Sequence, residues 1–166
     1  IIASRIAKEF LCGGQSLVVS AAAGSGIRAL EIGVRALRQH EMDTVLVGAV
    51  DLTGDVRSVI RRHAVQPYAA TKKVSPLDVS ADGTLPGEGA AALVLKRLDR
   101  AKRDGDRIYS VIKGIGKAGR GGVESHTPSK HAYVLSLKRC AEDAGISPSS
   151  ISFFETHGSG DPLEDR

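Results

Sequence analysis

Several serine, cysteine and histidine side chains in this chain could take part in covalent or acid–base chemistry. Ser20 and Ser25 lie in the segment SAAAGSG, residues 20–26, at the start of an apolar-periodic stretch. A serine hydroxyl acts as a nucleophile only beside a base, and serine is also an ordinary turn and helix-capping residue. The capping interpretation is therefore favoured for both serines, with the nucleophile interpretation left open.

The two cysteines show little sign of catalytic use. Cys12 precedes two glycines in an upstream loop, and Cys140 falls on the apolar side of a predicted helix, so both are interpreted as structural thiols. They fit neither a disulfide framework nor a paired CxxC zinc site, which favours a reducing compartment. The sequence therefore predicts a cytoplasmic protein.

No metal or cofactor site is predicted. His126 and His131 differ by five positions, and neither they nor His40 and His63 have metal-like spacing. The glycine-rich segment 114–122 lacks the GxxxxGK[ST] order of a phosphate-binding loop, which disfavours nucleotide binding. Lys117 and Arg120 in that segment could touch a phosphate, but solvated loop charges are the favoured interpretation.

Alternating helices and apolar runs predict the elements that would position these side chains. Apolar residues recur with helical period over residues 25–39, which predicts a helix with one apolar face. Residues 44–50 are continuously apolar, which is typical of a strand covered on both faces. With Leu17–Val19 as a preceding strand, this gives a strand–helix–strand unit. A short basic helix is expected at 56–63 and a second amphipathic helix at 131–144, while residues 98–105 are expected to be a charged connection that begins as a helix. Further strands are expected at 90–96, 108–115 and 151–156, and a flexible loop at 114–122. The pattern predicts an α/β protein with mainly parallel sheets.

Composition limits the classes of function. The 166 residues suit one globular unit, and no apolar run approaches the roughly 20 residues that span a bilayer. The formal charge of +4 is scattered, and aromatic residues make up only 4% with no tryptophan, which counts against a base-stacking nucleic-acid surface. A nucleic-acid-binding module stays an unfavoured alternative. Neither a nucleic acid nor a membrane is expected as a partner.

Four separated stretches share their order and spacing with one enzyme family. They are Ser4-Arg5-Ile6 with Gly14-Gln15-Ser16, then MDTVLVGAVDL at 42–52, SPLDVSADGTLPGEGAAALVLKRL at 75–98, and FETHGSGDPLED at 154–165. They resemble NRI…GPS, CDLALAGGVNL, KPFDADADGYVRGEGAGVVVLKRL and EAHGTGTPLGD of the β-ketoacyl synthases, the condensing enzymes of fatty acid and polyketide assembly. One such match would be weak, whereas the four together cover nearly the whole chain.

The resemblance implies a thiolase-like fold with α-β-α-β-α layers, of which this chain would be a central segment. Residues 1–166 would form a single partial domain. Residues 1–105 would be the later part of the first thiolase half and residues 106–166 the start of the second. The glycine cluster at Gly83, Gly87 and Gly89 is then expected to be architectural, allowing positive φ and close backbone approach.

The resemblance also implies that Ala23 occupies the position of the nucleophilic cysteine. Active members write DTACSSS or DAACAGS here, with the cysteine at a helix N-terminus, where backbone N–H groups and the helix dipole stabilise a thiolate. A methyl group accepts no acyl chain. Ser20 stands where the family has aspartate, and residues 24–26 also differ, which favours natural loss of the nucleophile over one engineered substitution.

His157 matches the first histidine of the family's AHGTG motif. In active members that histidine helps to polarise the thioester carbonyl and assists malonyl decarboxylation, a role that needs an N–H directed at developing negative charge. Without a cysteine, an equally weighted alternative is that His157 only lines an inherited pocket.

Relatives without the cysteine are known as chain-length factors. The runs SGIRALEIGVRALR, VGAVDLTGDVRSV and RIYSVIKGIG look most like the ketosynthase and chain-length-factor regions of polyunsaturated fatty acid synthases. The implied partners are an active ketosynthase, as a dimer or pseudo-dimer formed near Val18, and an acyl carrier protein bearing a phosphopantetheine thioester. Two alternatives stay open: a ketosynthase inactivated by substitution, and one that retains only malonyl decarboxylation.

Overall fold

The structure, a computed structural model, describes residues 2–52, 55–71, 74–119 and 129–165. The chain divides into two compact units, Ile1–Asp51 with Gly89–Val111 and Leu52–Glu88 with Ile112–Arg166. The elements in chain order are α1 (Ile2–Glu9), α2 (Ser25–Arg38), β1 (Thr44–Asp51), α3 (Val56–Val65), β2 (Gly89–Lys96), α4 (Leu98–Asp104), α5 (Lys130–Ala144) and a 3-10 turn at Pro148–Ser150.

The first unit is built on a two-stranded sheet. Strands β1 and β2 pair with Thr44 opposite Lys96 and Asp51 opposite Gly89, and they run antiparallel. The expectation of mainly parallel strands is wrong for this pair. A continuous apolar run indicates a strand with two apolar faces but does not specify strand direction, because side chains alternate between the faces in either orientation.

Helix α2 packs on one face of this sheet. A Cβ atom placed on Gly33 would lie 3.0 Å from Val47 Cγ2 and 3.1 Å from Val45 Cγ1, so the glycine allows the helix to approach β1 closely. Val47 is buried in this contact, as are Ala36 and Leu37 at the end of α2. The helix–strand pair predicted from residues 25–50 is confirmed.

The opposite face of the sheet is open in the part of the chain that the structure describes. Leu46, Val50 and Val94 are exposed at 43%, 63% and 73%. The described residues therefore cover one face of the sheet, that of α2, and leave the other face exposed, so the prediction of two covered faces is met for one face.

Arg97 connects α2 and α4 with the residues that lead into β1. Its Nη1 donates to the backbone oxygens of Met42, at 3.0 Å, and Leu37, at 3.4 Å, and its Nη2 donates to Asp43 at 3.2 Å. Arg100 on α4 adds a 2.8 Å ion pair with Asp43. The hydrogen bond from Arg97 is the main cause that holds the pKa of Asp43 below its usual value.

The second unit contains α3 and α5. Asp55 caps α3 by accepting from the Ser58 N–H at 3.0 Å, and Ser129 caps α5 by accepting from Ala132 at 3.3 Å. Helix α5 ends at Gly145, whose φ of +63° is the left-handed conformation that favours glycine. The predicted helices at 56–63 and 131–144 are thus confirmed with small shifts at their ends.

The predicted strands at 17–19, 108–115 and 151–156 are not formed. The structure assigns them no ladder partner among the described residues, and Val18, Tyr109 and Phe153 are exposed at 69%, 84% and 80%. A strand exists only where a neighbour satisfies its N–H and C=O groups, and a local sequence pattern does not specify that neighbour.

Helix α1 was not predicted from sequence, and α4 begins within the predicted segment 98–105. No helix among the described residues has the length and apolar character that a membrane span requires.

Candidate functional site

The turn that enters α2 holds the predicted nucleophile position. The Gly24 N–H donates to the Ala21 carbonyl at 3.0 Å, and the Ser25 N–H donates to the Ala22 carbonyl at 3.1 Å. Ala22 adopts a φ of +48°, an uncommon conformation for a residue with a side chain. Two overlapping reverse turns therefore present Ala23 directly before the helix.

Ser25 fixes this turn from the side. Its hydroxyl donates to the Ala22 carbonyl at 2.6 Å and accepts from the Ala21 N–H at 2.9 Å. The residue that caps α2 is Gly24, which has no side-chain hydrogen bond, so the capping interpretation of Ser25 is replaced by a turn-bracing one. The hydroxyl proton is given to an amide carbonyl rather than to a base, and this arrangement does not activate Ser25 as a nucleophile.

Ala23 is exposed and immediately precedes Gly24, the N-cap residue of α2. The positive end of the helix dipole lies at this turn, the environment in which a thiol would be activated. A Cβ on Gly26 would lie 3.0 Å from the Ala49 Cβ, so the start of α2 is seated closely on β1. The position of residue 23 is consequently fixed by the packing of the start of α2 on β1.

His157 lies in a glycine-rich loop of the second unit. Gly158 and Gly160 have φ values of +53° and +79°, and Gly83 has +148°. The Gly83 N–H donates to the Gly160 carbonyl at 3.0 Å, and a Cβ on Gly83 would lie 2.6 Å from the Ala69 nitrogen. Two of the four quoted stretches thus meet backbone to backbone, as the architectural interpretation of Gly83 predicts. For Gly87 and Gly89 that interpretation gains no support, since a Cβ there would meet nothing within 4 Å.

The carboxylate of Asp165 holds this loop in shape. It accepts from the backbone N–H groups of Ser159 at 2.9 Å, Gly160 at 3.0 Å and Leu77 at 2.9 Å. These hydrogen bonds, with that from Leu77 the largest cause, hold the pKa of Asp165 below its usual value despite partial desolvation. Asp165 therefore ties residues 159–160 to the segment around Leu77.

A second carboxylate, that of Glu164, faces His157 itself. Glu164 Oε2 lies 3.5 Å from His157 Nε2 and accepts a 2.9 Å hydrogen bond from Gln66 Nε2. The His157 side chain is 65% exposed and that of Glu164 is 28% exposed. The histidine is therefore reachable from solvent, with one ring nitrogen beside a fixed carboxylate.

Cys140 lies against the segment that was predicted to be a flexible loop. Its Sγ donates to the Gly114 carbonyl at 3.5 Å, and a Cβ on Gly114 would lie 2.6 Å from the Cys140 carbonyl oxygen. The described part of that segment packs on α5, so the flexible interpretation is wrong for it, and a structural role for Cys140 is supported. Cys12 is an exposed free thiol.

The remaining sequence candidates are dispersed. Lys117 offers its carbonyl to Arg139 Nη1 at 2.8 Å, and His63 Nδ1 accepts from the Tyr68 N–H at 3.0 Å. His40 follows α2, and His131 lies in the first turn of α5. Arg120 and His126 lie outside the described residues, among which no cluster of metal-ligating side chains is found.

Ala23 belongs to the first unit and His157 to the second. Both positions stay predictions from sequence, whereas the bracing role of Ser25 and the parts played by Gln66, Glu164 and Asp165 were missed. A signal for Glu164 existed, because the matched family stretch reads PLGD where this chain reads PLED.

Comparison with known families gives one consistent result. The sequence profile described as "Beta-ketoacyl synthase, N-terminal domain" matches residues 1–101, and "Beta-ketoacyl synthase, C-terminal domain" matches residues 109–166. Among similar proteins are the hybrid PKS-NRPS synthetase TAS1 of Gloeophyllum trabeum, 37% identical over 99% of this chain, and a mycocerosic acid synthase-like polyketide synthase of Mycobacterium tuberculosis, 36% identical over 97%. The chain spans only 11% and 8% of their lengths.

Solved structures agree in fold. The ketosynthase from module 6 of the bacillaene synthase of Bacillus subtilis 168 matches 98% of this chain and 30% of its own, with 34% identity and a TM-score of 0.91. A type II PKS ketosynthase in complex with its acyl carrier protein and bound to the hexaketide matches with a TM-score of 0.91, 98% and 42% coverage, and 24% identity. The fold is thiolase-like, and the chain covers part of it.

Proposed function

This chain belongs to the β-ketoacyl synthase family, and we propose that it is a ketosynthase-like domain of the chain-length-factor type, without a nucleophilic cysteine. It pairs with an active ketosynthase, as a dimer or pseudo-dimer. The partner catalyses decarboxylative Claisen condensation of acyl and malonyl thioesters held on an acyl carrier protein. The assembly works in the cytoplasm, in keeping with the free thiols Cys12 and Cys140.

The observation that supports this proposal is the methyl group at Ala23 in an otherwise well-formed turn. The turn has paired backbone hydrogen bonds, the Ser25 brace and a close approach of α2 to β1, which is compatible with a former nucleophile position at Ala23. Condensation requires an acyl-enzyme intermediate, and a methyl group offers no lone pair to form one.

The relatives support the carrier-protein part of the proposal. Two of them are polyketide synthases by name, and one structural neighbour is a ketosynthase in complex with its acyl carrier protein. A positive formal charge of +4 suits the approach of an acidic carrier and its phosphate-bearing arm. Within the same proposal, the resemblance of three sequence segments to polyunsaturated fatty acid synthases favours polyunsaturated fatty acids as the class of product.

A second candidate function rests on His157. The histidine of the family motif is present and 65% exposed, so a domain without the cysteine could still decarboxylate malonyl thioesters. Malonyl-carrier decarboxylation by the full-length protein, compared with His157→Ala, separates the two functions. Equal and negligible rates support the partner role, whereas a measurable rate that His157→Ala abolishes supports the decarboxylase.

Restoring the nucleophile tests the placement of Ala23. In the full-length protein we expect Ala23→Cys to become acylated by an acyl thioester, detected as a mass increase on the peptide that contains position 23. Ala21→Cys, two residues earlier in the same turn, is the matched control and should stay unlabelled. Failure of Ala23→Cys to label above this control would contradict the assignment of position 23 as the nucleophile site.

A further inference from the structure

Glu164 is a departure from the family motif that places a carboxylate next to the motif histidine. The matched family stretch has glycine where this chain has Glu164, so the side chain has no counterpart there. Its Oε2 lies 3.5 Å from His157 Nε2. The feature therefore combines a sequence difference with a contact to a residue of the candidate site.

Two sets of contacts fix this carboxylate in place. Gln66, 98 residues away in sequence, donates from Nε2 to the same oxygen at 2.9 Å in a partly buried contact. The backbone under it is a turn in which the N–H groups of Glu164 and Asp165 both donate to the Asp161 carbonyl, at 3.0 and 2.9 Å. The position of the charge thus follows from the fold of the second unit.

A fixed carboxylate at this place opposes the chemistry expected of His157. A thioester carbonyl or an enolate that develops negative charge needs an N–H donor directed at it. The carboxylate instead offers the Nε2 side of the ring an acceptor of its own, and its negative charge repels an approaching oxyanion. Both effects arise beside the same ring nitrogen, Nε2.

We propose that Glu164 withdraws His157 from thioester chemistry, as a second change that accompanies the absence of a nucleophile at Ala23. This inference rests on the proposed function and deepens it. A domain altered at both positions has no acyl acceptor and a weakened oxyanion donor. Its remaining role is to pair with an active ketosynthase.

Chemical modification of His157 tests the contact directly. Diethyl pyrocarbonate acylates a free imidazole nitrogen, and mass spectrometry of the full-length protein locates the added group on the peptide that contains His157. Glu164→Gln removes the charge, keeps the shape of the side chain and leaves an oxygen that can accept from Gln66. Because a contact between exposed polar groups contributes at most about 1 kcal/mol, a factor of about two to five, we expect modification of His157 in Glu164→Gln to be faster by a factor within that range.

Glu155→Gln is the matched control, since Glu155 is an exposed glutamate two residues before His157. Its rate of His157 modification should equal that of the unaltered protein. An unchanged rate in Glu164→Gln, or an equal increase in both variants, would overturn the proposal.

The outcome is independent of the test of Ala23. Acylation of Ala23→Cys reports on the nucleophile position in the first unit, whereas the rate of His157 modification reports on a contact within the second. If acylation fails and His157 is still released by Glu164→Gln, the proposed function loses its support and the contact stands. The opposite pair of results removes the contact alone.

Discussion

The side chain of Asp165 holds the loop that contains His157 through hydrogen bonds to its backbone. Its carboxylate accepts three backbone N–H groups and the Ser159 hydroxyl, at distances between 2.9 and 3.3 Å. Two of the three N–H groups come from Ser159 and Gly160, which follow His157 closely. The orientation of the histidine loop therefore depends on an acceptor-only group at position 165.

Replacement of Asp165 by asparagine should destabilise the fold. The amide NH2 group would face backbone donors that now meet oxygen, which leaves at least one N–H without an acceptor. We expect Asp165→Asn to lower the free energy of unfolding by about 1–2 kcal/mol, measured by urea titration of the full-length protein. Glu142→Gln, at an exposed position on α5, serves as the control and should change it by less than about 0.5 kcal/mol.

The same contacts predict a dependence of stability on pH. The pKa of Asp165 in the folded protein is lowered from the ordinary value of 3.8, chiefly by the hydrogen bond from Leu77. A lowered carboxyl pKa gives stabilisation that is complete above the unfolded value and is lost as pH falls through the folded value. The difference in unfolding free energy between the unaltered protein and Asp165→Asn should thus be constant near neutrality and shrink below about pH 4. A constant difference down to pH 2 would contradict this role.

At the scale of elements, the contact between segment 112–119 and α5 depends on glycine. A Cβ on Gly114 would lie 2.6 Å from both the Ala144 nitrogen and the Cys140 oxygen, which are backbone atoms that move only with the helix. We expect Gly114→Ala to destabilise the full-length protein by about 2 kcal/mol or more in urea titration. Gly119→Ala in the same segment is the matched control, because a Cβ there would meet nothing within 4 Å. Equal stabilities of the two variants would show that the segment does not pack on α5.

The elements that sequence predicted best are those specified by local signals. Helices α2 and α5 have apolar periodicity, and α5 also has a glycine stop, so their bounds came out within one or two residues. The runs at 108–115 and 151–156 have strand-like composition but no ladder among the described residues, because pairing is set by tertiary neighbours. The antiparallel direction of β1 and β2 was not predicted, because strand direction also depends on tertiary neighbours.

The candidate site divides in a similar way. The assignments of Ala23 and His157 are predictions made by counting along matched stretches, and such counting needs no structure. The Glu164–His157 and Gln66–Glu164 contacts, at 3.5 and 2.9 Å, depend on side-chain placement across 7 and 98 residues. The sequence alone shows that Glu164 replaces the glycine of the family motif. It does not show that the new carboxylate contacts His157.

At the scale of the whole molecule, few apolar side chains are buried by the described residues themselves. The buried hydrophobic residues are Ala36, Leu37, Val47, Ala101 and Ala141, while large apolar residues such as Leu11, Val79 and Phe153 are exposed at 90%, 106% and 80%. The outer face of the β1–β2 sheet is open in this part of the chain. Apolar surface of this extent is normally covered by further protein.

The chain of 166 residues, expressed alone, should therefore behave as an incompletely packed protein. We expect it to bind the dye ANS several-fold more strongly per residue than the full-length protein, because the dye binds apolar surface left without a partner. Its urea unfolding should be broad, since the buried core is too small for an all-or-none transition. Leu46→Gln or Val94→Gln, on the open sheet face, should reduce the dye signal of the isolated chain. In the full-length protein the same changes should lower stability if further protein covers that face. A sharp transition without dye binding would contradict the inference that the isolated chain leaves this apolar surface without a partner.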